Sequence, residues 1–434
     1  MSRFVFADSV VGFEPLRTRT FCTTDIVALF VGIGIFAEPN GITRAMQILM
    51  NYFGDRGVLL TNDVTALRSH PIRAGRLYRF RISGRTRLPT LLPWPLSRGL
   101  ARRARSMIGE YLGLAKYFYQ ITHKEKVNRI CLNTVYQLHA LSFLLLAIKL
   151  LNNRIKITVI IYDLDELAWC RNKAVVKLLL NSGLLHDVIT VDTSMRVLLK
   201  RIVTRVPVFA VGFGVSADLL KLARTSPGQI KSGIRPWLPA LLSEDKQSIV
   251  IIFHGRIIAR RRLEDLISAF SRFQKIPDTR RSVLYVAGYT EADKPYVRRL
   301  KTLTHQLGCH SVTRFLPSLT TEELAYFYHS SDIFVFPAVQ QPWGLAPLEA
   351  MAFGKPVIIT EECGLSGILR SNNLALIVRA RDVDGLYRNL ELLVRDEGMR
   401  HKLGTEGRVF VEQNMMFYHT GRELERAWAA NDTK

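Results

Sequence analysis

Ser331-Asp-Ile-Phe-Val-Phe-Pro-Ala-Val-Gln-Gln-Pro-Trp-Gly-Leu-Ala-Pro-Leu-Glu-Ala-Met-Ala-Phe-Gly-Lys-Pro-Val-Ile-Ile-Thr360 reads as a strand, a loop, a helix and a second strand. Ile333 to Phe336 is a continuous apolar run stopped by Pro337, the pattern of a parallel strand covered on both faces. Gln340 to Pro347 holds two further prolines and a glycine and predicts a loop. Leu348 to Phe353 then reads as a short helix ended by Gly354 and Pro356, and Val357 to Thr360 re-enters the sheet. Glu349 is the one ionised side chain in that helix, at its first turn beside the loop. Doubly wound sheets collect ligands at such strand ends.

Outward from this stretch, the chain alternates strands and helices in both directions. Ser248–Phe253 predicts a strand, followed directly by His254-Gly-Arg256-Ile-Ile-Ala-Arg260-Arg-Arg262 and an amphipathic helix over Leu263–Phe273. Arginines at a helix N-terminus after a Gly-Arg turn suit a diphosphate, whose charge grows as it leaves. A solvated basic turn is the plainer reading of the same residues. Further strands are expected at Val283–Gly288, Val312–Leu316 and Leu374–Val378, with a helix at Thr321–His329.

Towards the N-terminus, Asp25–Phe36 predicts the first buried strand and Ile42 to about Phe53 a helix. Gly41, just before that helix, is a reasonable phosphate-facing turn, or an ordinary strand-to-helix turn. Helices are expected at Tyr111–Thr122, Gln137–Leu151 and Ala174–Leu185, and strands at Arg129–Leu132, Ile155–Tyr162 and Val208–Val211. Asp163, Asp165 and Glu166 follow the Ile155–Tyr162 strand. Asp163 or Asp165 suits an acceptor hydroxyl or a phosphate-bridging metal, and equally a helix cap.

The chain has 434 residues, 48% hydrophobic and 22% charged, which is globular and large enough for two domains. Five cysteines without paired spacing argue for a reducing compartment and against a disulfide or zinc frame. No apolar run reaches the roughly 18–20 residues of a membrane span; Ile26–Ala37 reads as a core strand rather than a signal segment. The net charge is +23, and eleven arginines with no acid fall between Val64 and Gly109. Arg79, Arg81, Arg85, Arg87, Arg102 and Arg103 surround Leu88-Pro-Thr-Leu-Leu-Pro-Trp94-Pro-Leu96. Cations around an apolar, tryptophan-bearing loop suit an anionic membrane surface or an acceptor, while a solvated loop and a nucleic-acid surface are the alternatives.

The central stretch resembles the nucleotide-sugar signature of family 4 retaining glycosyltransferases (glycosyl transferases group 1). That signature is a Glu, seven intervening residues, then Glu-Ala-Met-Ala-x-Gly-x-Pro-Val. Gln341 holds the first Glu position and Glu349 the second, with Trp343-Gly344-Leu345 where the family has Phe-Gly-Leu. Gly212-Phe-Gly214-Val-Ser216 resembles the family's Asn-Gly-Val-Asp turn, departing at Phe213 and Ser216. Gly255 and Arg256 match the family's Gly-Arg, Arg261 stands at its Lys, and Arg262 replaces the glycine after it.

The resemblance implies an α/β GT-B fold: two Rossmann-like domains facing across a cleft, with a C-terminal helix returning to the first. The expected divisions are residues 1–225, an acceptor-side domain; 226–246, a linker; 247–415, a nucleotide-sugar domain; and 416–434, the returning helix. It implies a retaining hexosyltransferase using a nucleotide-diphospho-sugar and a lipid-linked or saccharide acceptor. By the same resemblance Glu349 binds ribose hydroxyls, Gln341 faces the sugar, the Gly344 and Leu345 amides hold sugar or phosphate, and Arg256 and Arg261 take the diphosphate. Gly255 and Gly41 would line the donor site and Asp163 the acceptor. No metal or other cofactor is required on this reading. A cytoplasmic location, peripheral on the membrane, is expected. Gln341 leaves open an inactive relative that serves as a binding subunit; the charge alone leaves open a nucleic-acid-binding protein, although nucleic acid is not the expected partner.

Overall fold

The structure, a computed structural model, describes residues 26–31, 41–61, 76–79, 116, 118–230, 233–244, 248–274, 281–288 and 293–432. The chain divides into two compact units. One is Gly212–Thr420; the other comprises the described residues of Thr18–Val211 together with those of Gly421–Lys434. The junction falls at Val211–Gly212, ahead of the 226–246 linker expected from the prolines. That expected linker holds a helix, Trp237–Glu244, whose Pro239 sits in its first turn.

The first unit along the chain contains β1 (Ala28–Val31), β2 (Gly57–Thr61), β3 (Arg76–Arg79), β4 (Arg129–Leu132), β5 (Lys156–Ile161), β6 (Asp187–Thr190) and β7 (Val208–Ala210). They form one parallel sheet in the order β3-β2-β1-β4-β5-β6-β7. The other unit contains β8 (Ile249–His254), β9 (Ser282–Ala287), β10 (Thr313–Leu316), β11 (Ile333–Phe336), β12 (Val357–Thr360) and β13 (Leu376–Val378). Its parallel sheet runs β10-β9-β8-β11-β12-β13. In each sheet the order reverses direction between two neighbours, β1 and β4 or β8 and β11. Such a reversal opens a crevice at the carboxyl ends of the pair.

Strands covered on both faces need unbroken apolar runs, and β8, β9 and β11 supply them. Ile251, Ile252, Phe253, Leu284, Tyr285, Val286, Ile333, Phe334 and Val335 are all fully buried. Helix Leu263–Phe273 places eight of its residues, from Leu263 to Phe273, in the core, and Glu264 and Asp265 begin it at its positive end.

The other core carries buried ionisable groups that the apolar pattern does not explain, Arg129, Glu166 and Asp187 among them. Arg129, in β4, is 1% exposed. Its guanidinium donates to Asp187 at 2.7 Å and to Thr158 at 2.9 Å, and lies 4.5 Å from the ring of Trp428. Asp432 accepts from Arg129 at 3.2 Å and pairs with Lys156 and His186. Residues 421–432 thus pack with β4–β6, and also with the helix Gly41–Phe53 and the turn after it, where Glu425 accepts from Tyr52 and Arg56, both at 2.7 Å. A Cβ on Gly421 would lie 2.0 Å from the Tyr52 ring.

Several element boundaries differ from expectation. The helix expected over Gln137–Leu151 is two, Val135–Ala140 and Ser142–Leu151, with Leu141 between them. The helix expected at Leu348 begins at Leu345, since Pro347 in a first turn lacks only an N–H that would be unpaired there. Glu349 therefore sits one turn further in than its sequence position suggested. Of the strand expected over Asp25–Phe36, Ala28–Val31 is strand and 32–36 lies outside the described residues. Much of the Tyr111–Thr122 helix and of the arginine-rich region lies outside them too.

Candidate nucleotide-sugar site

The carboxyl ends of β8 and β11 meet within Gly212–Thr420. Gly255 follows β8 at φ +151°, and its N–H donates to the Ala287 carbonyl at 3.1 Å. Gly288 follows β9 at φ +154°, and a Cβ there would stand 1.7 Å from the Gly255 oxygen. Two strand ends are pressed backbone to backbone, which only glycine permits.

The chain next forms a short turn, Ala259–Arg261, closed by Arg262 in the left-handed region at φ 51° and ψ 41°. This is the position at which the resembling family carries glycine, and the conformation is the reason glycine suits it. The arginine is held there by two bonds to Asp265, at 2.8 and 2.9 Å, and by Glu264 at 2.6 Å.

Arg261, just before it, turns inward and is 8% exposed. Its guanidinium lies 5.0 Å from the Phe336 ring and donates to Gln341 Oε1. Its Nε is buried without a hydrogen-bond partner. Burial, and then the neighbouring Arg260 and Arg256, push its pKa down to about 9. A buried guanidinium crowded by like charge is one whose charged form an anion would stabilise.

The loop after β11 is braced rather than loose. Val339 N–H donates to the Arg260 carbonyl at 2.9 Å. Gln340 has φ 48°, and its N–H reaches the Glu362 carboxylate at 2.9 Å. Gln341 exchanges backbone bonds with the loop after β12, donating to Glu362 at 3.0 Å and accepting from Gly364 at 2.8 Å.

Trp343 adds a tether that the family's phenylalanine lacks the N–H to make. Its indole donates to the Phe213 carbonyl at 2.7 Å, and a Cβ on Gly212 would lie 2.6 Å from its ring. The departures at Trp343 and in the Gly212–Phe213 turn accommodate one another.

Gly344, at φ 128°, starts the helix Leu345–Ala352. A side chain there would meet Cys363 Sγ at 2.8 Å. Glu349, on this helix, is 4% exposed. Tyr328 donates to its Oε2 at 3.3 Å, and the Tyr328 hydroxyl in turn lies 3.4 Å from His254 Nδ1. The helix Thr321–His329 and the end of β8 thereby orient the carboxylate.

The structure brings Gly255, Arg256, Arg261, Gln341, Gly344, Leu345 and Glu349 into one unit, and joins Arg261 and Gln341 directly. The motif residues alone did not disclose Tyr328, Glu362 and Phe336 as their supports; no spacing in the sequence links them. Asp163 lies in the other unit, where it accepts the Glu166 N–H at 2.9 Å, a helix-capping bond. The acid buried at that strand end is Glu166, 2% exposed, which accepts from Tyr162 N–H at 2.8 Å and Val135 N–H at 3.1 Å. Gly41 is the first residue of the helix Gly41–Phe53, and Arg79 the last of β3. Arg81, Arg85, Arg87, Trp94, Arg102 and Arg103 lie outside the described residues.

The family described as glycosyl transferases group 1 matches residues 239–410. A D-inositol 3-phosphate glycosyltransferase of Streptomyces bingchenggensis is 28% identical over 189 residues, 43% of this chain and 41% of that protein. The enzyme of the same name from Frankia alni is 30% identical over 201 residues, 44% of this chain and 49% of its own. The match thus spans less than half the length of either relative. Among solved structures, the Anabaena protein HepE, crystallised with UDP, superposes with a TM-score of 0.68 at 16% identity, over 93% of this chain and 100% of its own. Residues 239–410 thus match the glycosyl transferases group 1, and the fold of the chain is GT-B, with two Rossmann-like domains.

Proposed function

We propose that this protein is a retaining glycosyltransferase that moves a hexose-type sugar from a nucleotide-diphospho-sugar to a lipid-linked or saccharide acceptor. The observation that carries the reading is Glu349. A carboxylate 4% exposed, on the helix after β11 and oriented by Tyr328, suits a pair of ribose hydroxyls because it can only accept hydrogen bonds. The names of the relatives and the UDP bound by HepE support a nucleotide-sugar donor.

In the reaction the bond from the sugar's anomeric carbon to the diphosphate breaks, and the acceptor hydroxyl oxygen forms the new bond on the same face. The diphosphate leaves with the bonding electrons, and the hydroxyl proton passes to a phosphate oxygen. Arg256 and Arg261 face the charge that develops on the diphosphate, the Gly344 and Leu345 amides hold sugar or phosphate, and no metal is needed for that charge. Asp163 would meet the acceptor. The arginines and Trp94 within 79–103 would meet an anionic cytoplasmic membrane face, with the protein peripheral to it. Among the described residues no helix is long and apolar enough to cross a membrane.

Gln341 favours one other reading, a GT-B relative that binds a nucleotide sugar without transferring it. Incubating the full chain with UDP-, GDP- and ADP-sugars separates the two. Binding with release of free nucleotide supports transfer, and binding without release supports the second reading. Failure of every nucleoside diphosphate to bind sinks both.

A further inference from the structure

Gln341 and Arg261 are eighty positions apart, and their contact changes what the site offers the sugar. A guanidinium has only donors, so the Gln341 amide must turn its oxygen to Arg261. The amide NH2 is then the end left for a ligand, and it has no partner among the described residues. A glutamate at this position presents acceptors alone; this chain presents two donors. Beside them stands a cation 8% exposed whose hydrogen-bond partner is neutral and whose Nε is unpartnered. Arg256 and Arg260 add positive charge nearby. Neutral sugar hydroxyls pair with acceptors or donors alike. A carboxylate pairs with donors only, and charge-assisted bonds to it are about twice as strong as neutral ones.

We propose that the donor is a nucleotide-diphospho-uronic acid, and that Gln341 with Arg261 selects the carboxylate of its sugar. This rests on the nucleotide-sugar reading above and specifies the substrate class of the same site. Gln341 is a specificity-determining residue on this view, and its replacement of the family's acid is an adaptation to an acidic sugar.

Calorimetric titration of the full chain with UDP, UDP-glucose and UDP-glucuronic acid, and with GDP, GDP-mannose and GDP-mannuronic acid, tests it. For whichever nucleotide binds, the uronic acid form should bind about tenfold more tightly than the neutral form. Gln341→Glu should reverse that ratio, by placing a carboxylate against a carboxylate, a change that a merely structural role of Gln341 would not produce. Equal or tighter binding of the neutral sugar by the unmodified protein overturns the proposal and leaves the nucleotide-sugar site standing. A preference that survives Gln341→Glu unchanged also overturns it, since the selection then lies elsewhere. If neither UDP nor GDP binds, the proposal falls; if ADP fails to bind as well, the underlying reading falls with it.

Discussion

The two sheets share a strand order, yet the described residues of their units are finished differently. In Gly212–Thr420 the strand ends carry glycines at +151° and +154°, with a buried arginine and a buried glutamate on the segments that follow β8 and β11. Its most exposed large apolar side chains among the described residues, Leu392 and Val409, reach only 38% and 37%. In the other unit the strand-end acid, Glu166, is consumed by backbone N–H groups, and the outer helices expose Phe143 at 67%, Leu178 at 69%, Leu151 at 71% and Leu150 at 79%. On the proposed reading the same topology serves recognition of a polar ligand in one unit, while in the other buried charges pair with one another.

The contrast can be broken most directly at Glu349. Glu349→Ala removes the acceptor proposed for two ribose hydroxyls, each bond worth about 1.5–3 kcal/mol when the acceptor is charged, so donor affinity should fall about 100-fold or more. Titration with the best-binding nucleotide reads the change, and an unchanged affinity would move the site elsewhere. In the other unit, Arg129→Met leaves Asp187 buried without its cation, and unfolding stability should drop by about 3–5 kcal/mol. Hydrogen exchange should show the loss concentrated in β4–β6 and residues 421–432, with Gly212–Thr420 keeping its protection.

Glu166 gives a smaller, pH-dependent effect. Burial, then the charge of Asp163, push its carboxyl up from 4.5 to about 8. The folded state consequently binds a proton that the unfolded state has released between those values. Its contribution favours folding at the acid end of the window and is lost as pH rises towards about 8. Glu166→Gln should flatten the slope of stability against pH over that range in chemical denaturation. A slope identical to that of the unmodified protein would place the ionisation elsewhere. The smallest effect is expected of Arg262→Gly, which relieves a left-handed arginine but deletes its pairs with Glu264 and Asp265. The two terms oppose, and the net change in stability should lie within about 1 kcal/mol.

Much of Gly212–Thr420 could be read directly from the sequence. Leu263–Phe273, Thr321–His329, Ile333–Phe336 and Val357–Thr360 have the same bounds in sequence and structure, because apolar runs there meet clear stops at proline, glycine or a capping threonine. Within 226–246 the prolines lie at helix starts, where they are harmless, as well as in turns, so proline alone does not tell a linker from a helix there. Site chemistry was legible residue by residue but not in combination. Gln341 reads as a lost charge in sequence; in space it is the hydrogen-bond partner of Arg261. Arg262 reads as a lost glycine until its side chain is seen gripping Asp265. Such compensations are long-range or rotameric, and periodicity carries no trace of them.

The packing of Gly421 against Tyr52, with Glu425, Trp428 and Asp432 behind it, has a consequence for synthesis. The unit that begins to emerge first from the ribosome lacks the Arg129 stacking partner and the anion shared by Arg129, Lys156 and His186 until residues 421–432 have been made. Gly212–Thr420 contributes its described strands from one uninterrupted stretch and has no such wait. Translation order and folding order are thus opposed: the unit begun first is completed last, and in the interval its Arg129 charge network and open core are what a chaperone would meet.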